Sequence, residues 1–126
     1  MRNTALIVAV ALVAAAIGGA WASAPLKATM RDWKAGLGTL DEMTAPGGGF
    51  DSPQISRIVN QLSDDAGRLA SRLSTSNAQA QDVKRRFEAL AADAQSLAAA
   101  SHRDAARVKY NALHAGCVSC HDAYAH

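Results

Sequence analysis

The two cysteines of this chain, Cys117 and Cys120, stand three residues apart, and His121 follows the second one directly. On an α-helix, residues three and four positions apart lie on one face, so these three side chains would project together. The pattern Cys-x-x-Cys-His is the attachment signature of a c-type haem. Its two thiols form thioethers with the vinyl groups of the porphyrin, and its histidine binds the iron. The spacing therefore predicts one covalently bound haem c, held by Cys117 and Cys120 and ligated on the proximal side by His121.

The N-terminal segment has the features of a secretory signal peptide. Arg2 supplies a positive charge, an unbroken apolar run covers residues 5–17, and Ala20-Trp21-Ala22 forms a small-x-small cleavage site. The apolar run is too short for a comfortable transmembrane helix, although an uncleaved anchor stays an alternative. The sequence predicts a signal peptide at residues 1–22, a mature domain at residues 23–126 and a periplasmic location.

Three other roles for the cysteine pair have weaker support. Cysteines in an oxidising compartment pair as disulfides, but a bridge between residues three apart closes a small loop and stabilises the fold little. A thioredoxin-like redox pair follows a strand, and the chain has no strand pattern. A zinc site could use His114 or His126 as further ligands, but zinc leaves the Cys-x-x-Cys-His order unexplained.

The composition indicates helices and excludes several classes of function. The 126 residues suffice for one domain, the formal net charge is +2, and 49% of the residues are apolar, mostly alanine and leucine. Alanine and leucine are strong helix formers, and the nearly balanced charge offers no basic surface for a nucleic acid. No carboxylate pair, nucleophile–base pair or phosphate loop stands out, so we expect a protein that is not an enzyme.

Apolar residues recur at helical spacing in four stretches, at residues 25–44, 51–73, 78–100 and 101–123. Asp51 or Ser52 can cap the second helix, residues 74–77 can cap the third, and Ser101 with Asp104 resembles a capping box. Four helices of similar length with short connections predict an all-α fold, an antiparallel up-down four-helix bundle. The residues expected on the apolar faces are Leu26, Met30, Trp33, Leu37, Leu40, Met43, Thr44, Ile55, Ile58, Val59, Leu62, Ala66, Leu69, Leu73, Val83, Phe87, Leu90, Ala91, Ala94, Leu97, Ala98, Ala106, Tyr110 and Leu113.

Export, four helices and an attachment motif close to the C-terminus together resemble the class II c-type cytochromes, the group of cytochrome c′ and the cytochrome c-556 type. Two segments carry the resemblance. They are Met30 with Leu37-Gly38-x-Leu40-x-x-Met43 in the first helix, and Cys-x-x-Cys-His-Asp-x-Tyr at residues 117–124. The resemblance covers essentially the whole mature chain and implies a covalent haem within the bundle.

The resemblance also places Met30 where the c-556 type has its distal axial methionine. Low-spin His/Met iron suits electron transfer and has a raised potential, which implies an electron carrier whose partners are redox proteins. The alternative is a cytochrome c′-like protein whose five-coordinate iron binds nitric oxide or carbon monoxide, with Met30 as core filler. Met43 is a second choice of ligand. Dimerisation through the first two helices is common in the family, so a homodimer stays open.

The chain departs from the family pattern at two positions. Leu26 stands where the family commonly has an arginine near a haem propionate, a role that Lys27 or Arg31 could take. Ala125 stands where a basic residue often follows the final aromatic, which weakens the carry-over of cytochrome c′ gas chemistry. The run Lys84-Arg85-Arg86 is typical of a solvated helix face, with contact to propionates or to an acidic redox partner as the alternative.

Overall fold

The computed structural model describes residues 24–124, so the predicted signal peptide at residues 1–22 and the terminal His126 lie outside the described residues. It contains four helices: α1 (Ala24–Thr44), α2 (Ser52–Arg72), α3 (Ala78–Ala98) and α4 (Arg103–Tyr124). No strand occurs between residues 24 and 124. The prediction of an all-helical chain with four helices is thereby confirmed for this part of the chain. None of these four helices is long and apolar enough to cross a membrane.

Neighbouring helices run antiparallel, as their cross-helix contacts demonstrate. Between α2 and α3, Ser63 donates to the carbonyl oxygen of Ala91 at 3.3 Å, whereas the earlier residue Asn60 contacts the later residue Gln95 at 3.4 Å. The same reversal relates α1 and α2, where Trp33 contacts Asp65 and Gly36 lies against Ile58. It also relates α3 and α4, where Arg86 contacts Ser119 and Asp82 contacts Tyr124. Asp41 at the end of α1 contacts Arg107 at the start of α4. The four helices therefore form an up-down bundle.

The helix ends follow local capping chemistry, and two of them differ from the predicted positions. The carboxylate of Asp51 accepts a hydrogen bond from the Gln54 N–H at 3.1 Å, and Asn77 accepts one from the Ala80 N–H at 2.8 Å. The expected capping role of Ser101 is wrong: α4 begins at Arg103, and His102 Nδ1 accepts from the Ala105 N–H at 3.3 Å. Helix α3 also ends at Ala98, two residues before the predicted end. Caps satisfy backbone N–H groups that the helix itself leaves without partners.

The predicted apolar faces form one core, as the helical spacing requires. Leu40, Leu97 and Leu113 are fully buried, one each from α1, α3 and α4, and Val59 is their counterpart in α2. The α2–α3 interface is the most extensive, and the α1–α2 interface is the least extensive of the four between neighbouring helices. Helix α1 is therefore the helix that the rest of the bundle holds least firmly.

Candidate haem cavity

A cavity of about 740 Å³ lies between α1, α3 and α4. Small-molecule and cofactor sites typically have volumes of roughly 300–1,000 Å³. The cavity is lined by all four predicted site residues, Met30 from α1 and Cys117, Cys120 and His121 from α4. The fold thus brings together a methionine near the start of α1 and a motif near the end of α4.

Aromatic and aliphatic side chains make most of the cavity wall. Trp33 and Phe87 meet edge to face, with ring centroids 6.2 Å apart and planes at 71°, and Leu90 and Tyr110 complete this wall. Edge-to-face packing holds both rings in place. The Trp33 indole N–H donates to Asp65 of α2 at 3.1 Å, which satisfies the polar atom of this buried residue. The wall is apolar and fixed, as a flat hydrophobic ligand requires.

The two cysteines are free and half-buried at the edge of this cavity. Burial raises the pKa of Cys117 to about 11, with a smaller contribution from the neighbouring Cys120. Burial also raises the pKa of Cys120, while the positive charge of Arg86 acts in the opposite direction. Both groups are therefore protonated thiols at neutral pH. Thiol–disulfide exchange uses a thiolate as the nucleophile, so this environment does not favour that alternative.

The histidines on α4 differ in their surroundings. His121 is exposed and lies in the last turn of α4 beside the cavity. His114 stacks on Tyr110, with ring centroids 5.9 Å apart, and touches the same cavity from the same helix. Within residues 24–124 no three His, Cys, Asp or Glu side chains are grouped to hold a metal ion. His126, the other histidine considered for a zinc site, lies outside the described residues.

The structure separates the two candidate methionines. Met30 is half-buried and contacts the cavity from α1, the helix that faces α4 across it. Met43 is only 7% exposed and belongs to the hydrophobic core, away from the cavity lining. Of the two, Met30 is therefore the methionine that shares the cavity with Cys117 and Cys120.

Cationic side chains surround the cavity on the α1 side. Lys27, Arg31 and Lys34 are exposed, line the cavity, and follow one another at helical spacing on one face of α1; we call them the basic rim. Leu26, which stands where the resemblance implies an arginine, is buried, and the two residues expected to compensate for it, Lys27 and Arg31, both lie at the cavity. Like charges four residues apart destabilise a helix slightly, and an anionic group at the cavity mouth would relieve this repulsion.

The position of Arg86 in the structure differs from the solvated helix face that the sequence predicted. The run Lys84-Arg85-Arg86 suggested a solvated face, and Arg85 fits this, since its side chain is 70% exposed. Arg86 is only 32% exposed, lines the cavity, and donates a hydrogen bond to Ser119 at 3.0 Å. Its spacing, three residues after Val83 and four before Leu90, was the signal in the sequence that it borders the core.

Comparison of the chain with protein-family models, curated proteins and solved structures returned no match.

Proposed function

We propose that the chain is an exported, periplasmic c-type cytochrome that binds one haem c and carries electrons through low-spin iron ligated by His121 and Met30. The observation that supports this proposal is the convergence of Cys117, Cys120, His121 and Met30 on one apolar cavity. Each side chain supplies the chemistry that its proposed role needs. The resemblance of the sequence to class II cytochromes is consistent with this interpretation.

The residues of the cavity fit a covalent haem. Each cysteine S–H would add across one vinyl C=C bond, forming a carbon–sulfur bond while the hydrogen passes to the neighbouring carbon, with no external oxidant. The protonated state of both thiols is compatible with such an addition. The imidazole of His121 and the thioether of Met30 are both established ligands of haem iron in electron carriers. When bound, the haem supplies the one-electron iron couple.

The remaining wall residues have supporting roles in this proposal. Trp33, Phe87 and Leu90 exclude water from the ring, which lowers the local dielectric and strengthens electrostatic effects at the iron. The basic rim offers Lys27 and Arg31 to the propionate carboxylates, since charge-assisted hydrogen bonds to carboxylates are strong. A residue of the basic rim that does not bind a propionate would favour binding of a redox partner through an acidic surface.

A second candidate function is binding of nitric oxide or carbon monoxide at five-coordinate iron. The observation that favours it lies on the α1 wall, where Leu37 and Gly38 also line the cavity. A Cβ atom added at Gly38 would meet nothing within 4 Å. A small apolar gas therefore has room on this side if Met30 packs against the wall instead of reaching the iron.

Absorption spectra of the purified mature protein, oxidised and then reduced, test the proposal. We expect covalently bound haem, sharp low-spin bands and the weak far-red band of an iron–sulfur bond in the oxidised state. Met30→Ala should abolish the far-red band. Met43→Ala is the matched control, because Met43 lies in the core and its loss should lower stability while the band persists.

Two results would contradict the proposal. A high-spin spectrum that shifts on addition of carbon monoxide would favour the gas-binding function. Absence of covalent haem after co-expression with a haem-attachment system would exclude both functions.

A further inference from the structure

A cluster of polar side chains ties the attachment motif of α4 to α3. Arg86 donates through Nε to Asp82 Oδ2 at 2.9 Å and through Nη1 to Ser119 Oγ at 3.0 Å. Tyr124 donates its hydroxyl to the same carboxylate oxygen of Asp82, and the Arg86 guanidinium lies 5.6 Å from the centre of the Tyr124 ring. We call Asp82, Arg86, Ser119 and Tyr124 the Arg86 cluster. Its contacts hold the Cys-x-x-Cys-His segment at two points, since Ser119 lies inside the segment and Tyr124 follows it.

The cluster places one fixed positive charge on the side of the cavity that carries Cys120 and His121. Arg86 lines the cavity together with these two residues. The cations of the basic rim lie instead on α1, on the opposite wall. Among the cations that line the cavity, Arg86 is thus the one that donates a hydrogen bond into the segment that carries His121.

Arg85 offers an internal comparison for this charge. It is adjacent in sequence, carries the same charge and also contacts Asp82, at 3.3 Å. Its side chain is 70% exposed and is not part of the cavity wall. Water and salt screen charges at such exposed positions. The two arginines therefore differ in position relative to the cavity and not in charge.

We propose that Arg86 is a positioning residue of the haem site that holds the Cys-x-x-Cys-His segment against α3 and raises the reduction potential of the iron through its fixed charge. This inference rests on the proposed function. A nearby cation favours the reduced iron because reduction lowers the positive charge of the centre. Asp82 acts in the opposite direction, as an anion in the same cluster. Hydrogen bonds from Tyr124 and Arg86 lower the pKa of Asp82 to about 2, so this carboxylate is charged at neutral pH.

The opposite charges of Arg86 and Asp82 allow a test. A charge effect predicts shifts of the potential in opposite directions when each is neutralised, whereas a purely structural role does not. The midpoint potential is measured for the mature haem-loaded protein and for Arg86→Gln, Asp82→Asn and Arg85→Gln. We expect Arg86→Gln to lower the potential, Asp82→Asn to raise it, and Arg85→Gln to shift it by a small fraction of the Arg86→Gln change. Arg86→Lys keeps the charge, so its potential should stay closer to that of the unmodified protein than that of Arg86→Gln.

A second measurement reports on positioning without using the haem potential. Amide hydrogen exchange over residues 117–124 should become faster in Arg86→Gln and stay unchanged in Arg85→Gln, because only Arg86 bonds to Ser119. Shifts of the potential in the same direction for Arg86→Gln and Asp82→Asn would overturn the charge effect. Equal exchange in the two arginine variants would overturn the positioning role.

These outcomes are distinguishable from failure of the proposed function. If the unmodified protein carries no covalent haem, the proposed function fails in every variant, and the effect on the potential fails with it. If haem is bound normally and the Arg86→Gln potential does not change, the proposed function stands and the effect on the potential alone is wrong.

Discussion

The turn between α1 and α2 contains three consecutive glycines, and the structure gives each of them a different tolerance for a side chain. Gly47 has φ +78°, with open space around it. A Cβ atom added at Gly48 would overlap the carbonyl oxygen of Glu42 and lie 3.0 Å from that of Ala45. A Cβ atom at Gly49 would meet nothing within 4 Å. Alanine substitutions at these positions should therefore differ in sign and size.

The magnitudes follow from separate physical effects. Gly49→Ala only restricts the unfolded chain, so it should stabilise the protein by about 0.4–1 kcal/mol. Gly47→Ala gains the same restriction but forces alanine into a left-handed conformation that costs roughly 1–2 kcal/mol, which leaves a net loss of about 1 kcal/mol. Gly48→Ala should lose about 1–3 kcal/mol, because the overlap is with backbone atoms and overpacking of this kind needs a backbone shift. That shift also endangers the hydrogen bond from the Gly48 N–H to the Ala45 carbonyl oxygen, 2.9 Å long.

Urea unfolding of the mature protein, followed by far-ultraviolet circular dichroism, measures these differences. The expected order of stability is Gly49→Ala, then the unmodified protein, then Gly47→Ala, then Gly48→Ala. The reasoning would be refuted if Gly49→Ala were as destabilised as Gly48→Ala, because only crowding distinguishes these two positions. Gly47→Ala as the most stable variant would refute the assigned backbone conformation.

Three further predictions concern the bundle and the Arg86 cluster. Asp82→Asn should weaken the dependence of the free energy of unfolding on pH in the acid range, because the pKa of Asp82 falls from 3.8 in the unfolded chain to about 2 in the folded chain. Its carboxylate therefore stabilises the fold above pH 3.8, and this contribution is lost as the pH falls toward 2. Acid unfolding of the variant and of the unmodified protein measures this. Equal dependence of stability on pH in the two proteins would contradict the prediction. Asn77→Ala should cost about 1 kcal/mol in urea unfolding, because it removes the cap on the Ala80 N–H, whereas the exposed Gln79→Ala should change stability by less than about 0.5 kcal/mol. Trp33→Phe should cost about 0.5–1.5 kcal/mol in the same assay, because it removes one hydrogen bond while Asp65 keeps Gln61 and Arg68 as partners; a loss above that range would mean that Phe cannot pack against Phe87.

The architecture could be predicted from the sequence because its information is local. Apolar residues recur at helical spacing around Leu40, Val59, Leu97 and Leu113 and define one apolar face on each helix. Burial of these four faces leaves few arrangements of four helices. The attachment motif is local as well, since Cys117, Cys120 and His121 are neighbours in the chain. Its position near the C-terminus depends on no tertiary contact.

Two features could not be predicted because they depend on contacts between segments or on a close competition between neighbours. The helical spacing of Arg86 from Val83 and Leu90 places it at the border of the core, but its hydrogen bond to Ser119 depends on the packing of α3 against α4. The N-cap of α4 could be either of two adjacent residues, Ser101 or His102, because each can accept a hydrogen bond from an N–H group of the first turn. The sequence contains both acceptors, and in the structure α4 begins at Arg103 with His102 as the acceptor.

Helix α4 is anchored along only half of its length. Leu113 is its last buried residue among those described, and from His114 onward every side chain up to Tyr124 is half-buried or exposed. About three helical turns therefore border the cavity, with the Arg86 cluster as a tether at one edge. A chain built in this way can complete its own core and still present Cys117, Cys120 and His121 to a second protein. If the chain binds haem as proposed, folding and cofactor loading would be separate steps, in which a nearly finished bundle receives the haem.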